Sequence, residues 1–245
     1  MKNDKKIAVL VPALNEAGSI AQVVLGIKET SPDYDVVVID DGSTDNTAEI
    51  AEKAGATVLS LAVNLGYGAA LQTGYKYALL HGYDYTVQID GDGQHDPKYI
   101  DRLVNLLNNG ADVAIGSRFL GNLDNYNNPT LRQIGMTFFR FLIYLVIRQK
   151  ISDPTSGFQA LNSEVIKFFA KSKEYPSDFP DADIIILLHY AGFRISEAPV
   201  VMYSNETGKS MHSGFKPIYY IIKMLLSIYA VLFGNQKSLG MNNAT

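Results

Sequence analysis

The sequence predicts an α/β fold with a mostly parallel central sheet flanked by helices, on three observations. Short β-branched apolar runs alternate with helix-patterned segments through the first half of the chain. The strand candidates are apolar on both faces, as in a sheet covered on both sides. Gly55, Gly82 and Gly110 each follow a helical run directly, where helices place their C-terminal glycine.

The elements follow in order. Residues 7–11 form the first strand. The basic start ahead of it, Met1 to Lys6, superficially resembles a signal peptide. Its apolar run is too short, Pro12 interrupts it, and Asn15-Glu16 stand where a small-residue cleavage site belongs. Strands are then expected at 35–40, 57–61, 85–90 and 112–116, with helices at 17–30, 44–54, 67–81 and 97–109 between them. Asp or Ser-Thr-Asp ahead of these helices supplies N-caps. After Gly116 the alternation stops. A long helical segment from Thr130 to Arg148 carries an aromatic-apolar stretch, with Arg132, Arg140 and Arg148 spaced eight apart. A loop at 152–158, a helix near 182–191, a strand near 194–202 and an apolar tail helix at 217–233 complete the reading.

At 245 residues and 47% hydrophobic, the chain can bury one sizeable core. The expected division is one domain at 1–210 and an apolar helix and tail at 211–245. A net charge of −4 argues against nucleic acid as a partner. With no cysteine there is neither a disulfide framework nor a thiolate zinc site, which fits the cytosol. No stretch reaches the roughly 20 apolar residues of a spanning helix. The nearest, 217–233, contains Lys223 and stops at Gly234.

Asp90 and Asp92 close a strand-like run, Tyr-Thr-Val-Gln-Ile-Asp-Gly-Asp-Gly-Gln. Residues two apart at a strand end point the same way, so both carboxylates can face one hard cation. Oxygen ligands suit Mg²⁺ or Mn²⁺, with substrate phosphates or waters completing the sphere. A calcium loop would need Gly at its sixth position and Glu at its twelfth, where His95 and Asp101 stand. A solvated acidic turn is the competing reading. Four more clusters share the same rim, at the carboxyl ends of the strands where α/β sheets bind ligands. They are Pro12-Ala-Leu-Asn-Glu16, Asp40-Asp-Gly-Ser-Thr-Asp45, Asn64-Leu-Gly-Tyr-Gly68 and Gly116-Ser-Arg118. The Gly66-Tyr-Gly68 pair is no dinucleotide fingerprint, because Leu71 stands where a third small residue is needed. Gly208-Lys-Ser210 lacks the upstream glycine of a P-loop. Of the four histidines, only His95, inside the acidic loop, invites a test.

The four motifs at 11–16, 40–45, 64–70 and 90–97, in this order, resemble the inverting glycosyltransferases of family 2, which have the nucleotide-sugar-binding GT-A fold. Within that family the chain is most similar to the dolichol- and polyprenyl-phosphate mannose synthase type, over residues 7–202. The resemblance implies that Asp92 and Gln94 help hold the metal and that Asp90 touches metal or diphosphate. It also implies that Asp40 and Asp41 meet the nucleoside, Asp41 the more, and that Pro12, Ala13, Asn15 and Glu16 line its pocket. Gly66 gives close backbone approach to the nucleotide. Arg118 and Arg132 match basic residues that hold acceptor or donor phosphates; a further family basic residue is replaced by Asn205-Glu206, with Lys209 as its expected substitute. The competing readings are a helix N-cap for Asn15 and solubilising surface roles for the arginines.

An inverting transfer attacks the anomeric carbon opposite the departing diphosphate, and metal and arginine stabilise the charge that develops there. A sugar hydroxyl would need a general base; a phosphate monoester, with its second pKa near 6, does not. Polysaccharide-building relatives carry a Glu-Asp pair near a late helix, where this chain reads Phe179-Pro-Asp-Ala-Asp183. The expectation is therefore transfer from a UDP- or GDP-sugar to a polyprenyl phosphate at the inner membrane face. The two aromatic-apolar helices would meet the lipid. The tail helix could equally contact the core, a second copy or a membrane-protein partner. The alternatives are a soluble transferase that extends a glycan and a nucleotide-sugar-binding regulator.

Overall fold

The computed structural model describes residues 5–121, 130–173, 175–177 and 182–203. The chain alternates β1 (Ile7–Ala13), α1 (Ile20–Thr30), β2 (Asp35–Asp40), α2 (Thr47–Lys53), β3 (Thr57–Ser60), α3 (Tyr67–Leu80) and β4 (Tyr85–Gln88). A single 3₁₀ turn (Pro97–Tyr99) leads into α4 (Ile100–Asn108), followed by β5 (Val113–Ser117) and α5 (Thr130–Ile147). Then come β6 (Gln159–Asn162), α6 (Ser163–Lys171), α7 (Ala182–Tyr190) and β7 (Ile195–Pro199).

Among the described residues these strands form one seven-stranded sheet of order β3-β2-β1-β4-β6-β5-β7. Every pairing is parallel except those of β6, which runs antiparallel to both β4 and β5. Strand periodicity divides the core in two. Ile7, Val9 and Val11 point into the layer filled by α1, α2 and α4, while Ala8 and Leu10 of the same strand point to α3, α5, α6 and α7. Both faces are thus covered, which explains why β1 and β2 read as continuous apolar runs.

Three differences from the sequence reading matter. No element was expected between 158 and 182, yet β6 and α6 lie there. The strand is only four residues, Gln-Ala-Leu-Asn, too short to signal itself. The helix carried a readable signal. Asn162 caps it by accepting from the Val165 amide, and Val165, Ile166, Phe169 and Ala170 bury one face. Second, β4 ends at Gln88, so Asp90 and Asp92 lie in the turn beyond it and are not aimed by strand alternation. Third, the tail helix expected at 217–233 lies outside the described residues. No helix among the described residues is long and apolar enough to cross a membrane.

Candidate active site

Because β1 and β2 pair in parallel with Ala13 opposite Asp40, the loops after them leave the sheet side by side. Side chains stitch the two loops together. The Asn15 amide donates to Ser43 Oγ (2.9 Å), Thr44 N donates to Asn15 Oδ1 (2.8 Å), and Glu16 N donates to Thr47 Oγ1 (2.8 Å). Asn15 takes a left-handed backbone (φ 57°), a conformation its short polar side chain tolerates. It therefore holds the neighbouring loop and caps no helix of its own. Pro12 and Ala13 are the last two residues of β1, both buried.

Asp40 and Asp41 are both buried, and both serve loop geometry. Asp40 Oδ1 accepts from Ser43 N at 3.2 Å. Asp41 accepts from the amides of Leu65 (2.8 Å) and Gly66 (3.0 Å), and so fixes the start of α3. The reason is that buried carboxylates need donors, and the turn after β3 offers the Leu65 amide and the Gly66 amide, the latter shared with Asn64 Oδ1 at 3.0 Å. Gly42 lets these loops touch: a Cβ there would sit 2.6 Å from the Val63 carbonyl carbon.

The acidic loop follows β4. Ser19 Oγ donates to Glu16 Oε2 and lies 2.8 Å from the Gly91 carbonyl, which ties this loop to the first one. Asp90 Oδ1 accepts from Tyr67 Oη at 2.6 Å. The Asp90 amide donates to His95 Nδ1 at 3.0 Å, which leaves the imidazole proton on Nε2. His95 is buried against the Phe158 ring, so it supports the loop from beneath. Asp92 accepts from both the amide and the side-chain Nε2 of Gln94, leaving Gln94 Oε1 as an acceptor.

Glu16 faces this loop. Burial pushes its carboxyl above the usual range, its bond from Ser19 pulls it down, and the charges of Asp92, Asp45 and Asp90 push it further up. Among the described residues no lysine or arginine forms an ion pair with Asp90, Asp92 or Glu16, and His95 Nδ1 lies 3.6 Å from Asp90 Oδ2. Among the described residues no three acidic or imidazole side chains converge into a metal-holding group, but the half-buried carboxylates with an amide oxygen beside them offer oxygen donors of the kind a hard divalent cation takes, with substrate phosphates completing the sphere. The residues present therefore fit Mg²⁺ or Mn²⁺.

Arg118 Nε and Nη2 form a bidentate pair with Asp153 (2.7 and 2.6 Å), and Nη2 also donates to Thr155 Oγ1 at 3.0 Å. Asp153 is fully buried and takes its counter-charge from this arginine. Sequence reasoning missed Asp153 and two other residues here. Tyr67 and Arg140 both belong to the site's surroundings. Arg140 packs its guanidinium 4.1 Å from the Phe119 ring, and its Nε and Nη2 have no hydrogen-bond partner among the described residues. Burial lowers its pKa, opposed by Asp153 and Glu197. Lys209 and the side chain of Arg132 lie outside the described residues, as does the stretch 178–181.

Five loops carrying acidic, polar and glycine residues thus meet on one rim of a mostly parallel sheet. This is the GT-A arrangement of a sugar-transferring enzyme. Residues 8–169 match the model of glycosyl transferase family 2, and the chain belongs to that family. It is 30% identical over 224 residues to a polyprenol monophosphomannose synthase of Mycolicibacterium smegmatis, covering 86% of this chain and 82% of that one. It is 27% identical over 244 residues to a UDP-N-acetylglucosamine–dolichyl-phosphate N-acetylglucosaminyltransferase of Methanococcus voltae, covering 91% and 96%. Among solved structures, glucosyl-3-phosphoglycerate synthase of Mycobacterium tuberculosis, in complex with Mn²⁺, UDP-glucose and phosphoglyceric acid, superposes with a TM-score of 0.65. That match is at 22% identity and covers 98% of this chain and 82% of that one, so it speaks to the fold. The protein is a glycosyltransferase.

Proposed function

We propose that the protein transfers a sugar from a UDP- or GDP-sugar to a polyprenyl phosphate, with Mg²⁺ or Mn²⁺, at the inner face of the membrane. The observation that carries this is the acidic group of Asp90, Asp92 and Glu16, with no lysine or arginine paired to it among the described residues, beside loops tied together by amides and buried aspartates. Asp90, Asp92 and the Gln94 carbonyl would hold the metal, which supplies positive charge for the departing diphosphate. Loops 12–16, 40–45 and 64–66 would bind the nucleoside, with Gly66 allowing the backbone to come close. Asp41 would act by placing that loop. Arg118 would act by holding loop 152–155, leaving Arg132 and Lys209 as the acceptor-phosphate cations. The acceptor phosphate is itself the nucleophile and needs no protein base. The activities named for the two relatives, a polyprenol monophosphomannose synthase and a dolichyl-phosphate N-acetylglucosaminyltransferase, support this choice of acceptor.

The membrane-facing surface would be α5. Phe141 (57% exposed), Tyr144 (38%) and Leu145 (46%) line its outer side, beside Tyr190 of α7 at 45%. One assay tests the whole reading. Purified protein receives a panel of labelled UDP- and GDP-sugars with Mn²⁺ and either a short-chain polyprenyl phosphate or an oligosaccharide. Transfer to the lipid phosphate is expected; transfer confined to the oligosaccharide would replace it with a glycan-extending enzyme.

A further inference from the structure

A chain of side chains runs from the core to Asp90. Tyr75 Oη lies 3.1 Å from Gln88 Oε1, Gln88 Nε2 lies 2.7 Å from Tyr67 Oη, and Tyr67 Oη lies 2.6 Å from Asp90 Oδ1. The direction of every bond is determined. An ionised Asp90 can only accept, so the single Tyr67 proton must go to it. Tyr67 can then only accept from Gln88, which turns the amide NH₂ toward Tyr67 and its oxygen toward Tyr75.

The fold builds this chain deliberately. Gln88 is a buried polar residue at the end of β4, and an unpartnered amide there would be costly. Tyr67 is the first residue of α3, whose start Asp41 fixes through the Leu65 and Gly66 amides. From the other side, Gly157 brings the loop before β6 down onto the same bond. A Cβ at Gly157 would sit 3.1 Å from Asp90 Oδ2 and 3.2 Å from Tyr67 Oη. Asp90 is therefore oriented by the Tyr67 hydroxyl and roofed by a backbone against which any added side chain would press.

We propose that Tyr67, set by Gln88 and roofed by Gly157, is the positioning residue that orients Asp90 toward the divalent cation. This rests on the metal-dependent reading above. Outer partners of metal-binding carboxylates fix ligand orientation, and losing one costs about 10–100-fold in metal affinity or activity.

The test is Tyr67→Phe, which removes the hydroxyl and keeps the ring, beside Gly157→Ala, which leaves Tyr67 intact but crowds the bond. Mn²⁺ binding in the presence of UDP or GDP is read from loss of the free-ion paramagnetic resonance signal, and thermal unfolding is recorded for each variant. Mn²⁺ affinity should fall about 10-fold or more in Tyr67→Phe and in the same direction in Gly157→Ala. The Mn²⁺ concentration for half-maximal turnover should rise with it, and acceptor KM should not move. A merely structural role would lower the melting temperature without a selective change in metal activation. Wild-type protein that binds no Mn²⁺ would overturn the metal reading along with this one. Wild-type binding matched by an equal affinity in Tyr67→Phe would overturn this inference alone.

Discussion

Asp41 accepts from two backbone amides at the start of α3, so removing its carboxylate acts on the fold as well as on the site. Asp41→Ala should leave the Leu65 and Gly66 amides without that partner and cost about 1–3 kcal/mol of stability. Urea unfolding measures this, and calorimetry with the free nucleoside diphosphate should show weakened binding in the same variant. An unchanged unfolding midpoint would mean the two amides find water instead. Asp92 is a different case. Its partners are the amide and side chain of Gln94, two residues on, so Asp92→Asn keeps the local shape and removes the charge. Turnover should fall about 100-fold or more, the cost of losing one transition-state electrostatic group. Turnover within about threefold of wild type at saturating Mn²⁺ would remove Asp92 from the metal site.

At the scale of elements, β6 is the part that departs from a simple alternating sheet, and Asp112 pins it there. The Asp112 carboxylate accepts from Arg194 N (2.8 Å), Arg194 Nε (3.3 Å) and Asn162 Nδ2 (2.8 Å), joining the segments that begin β5 and β7 to the end of β6. Burial pushes its pKa up, but the bonds from Arg194 and Asn162 outweigh that and leave it below the ordinary 3.8. A carboxyl depressed in the folded state stabilises above its unfolded pKa, and that stabilisation is lost as pH falls through the folded value. Asp112→Asn should therefore destabilise by about 1–3 kcal/mol at neutral pH. The gap to wild type should close below about pH 4. Denaturant midpoints across that range check both statements; a gap independent of pH would exclude the carboxylate as its source.

The whole molecule places its chemistry and its apolar surface on different parts of one frame. The loops at the carboxyl ends of the strands form the rim, while Phe141, Tyr144 and Leu145 lie exposed along α5. Replacing Phe141 and Leu145 together by Glu should abolish co-sedimentation with anionic lipid vesicles. Transfer to a short, water-soluble polyprenyl phosphate should stay near wild type. High salt should weaken wild-type sedimentation only in part, because apolar burial is not screened. Sedimentation unchanged by the double substitution would take the membrane contact away from α5.

Much of the architecture is written locally and was legible in the sequence. Short β-branched apolar runs marked β1 to β5 and β7, helical patterning marked the helices through α5 and α7, and glycines at 55, 82 and 110, all with positive φ, ended their helices. The motif order also placed five chemistry-bearing loops on one rim, because in a parallel α/β sheet each strand delivers its following loop to the same end. Partners separated along the chain were not legible. Nothing near Arg118 announces that Asp153, 35 residues away, will neutralise it. Nor does the Asp-Asp pair announce that its second member will hold amides 24 and 25 residues on. The four-residue β6 gains its stability from β4 and β5 on either side rather than from its own pattern. Short-range sterics and periodicity act before the chain closes on itself, so sequence determined the elements and their loops. Which donor meets which buried carboxylate depends on the closed sheet, and only the tertiary structure decided that.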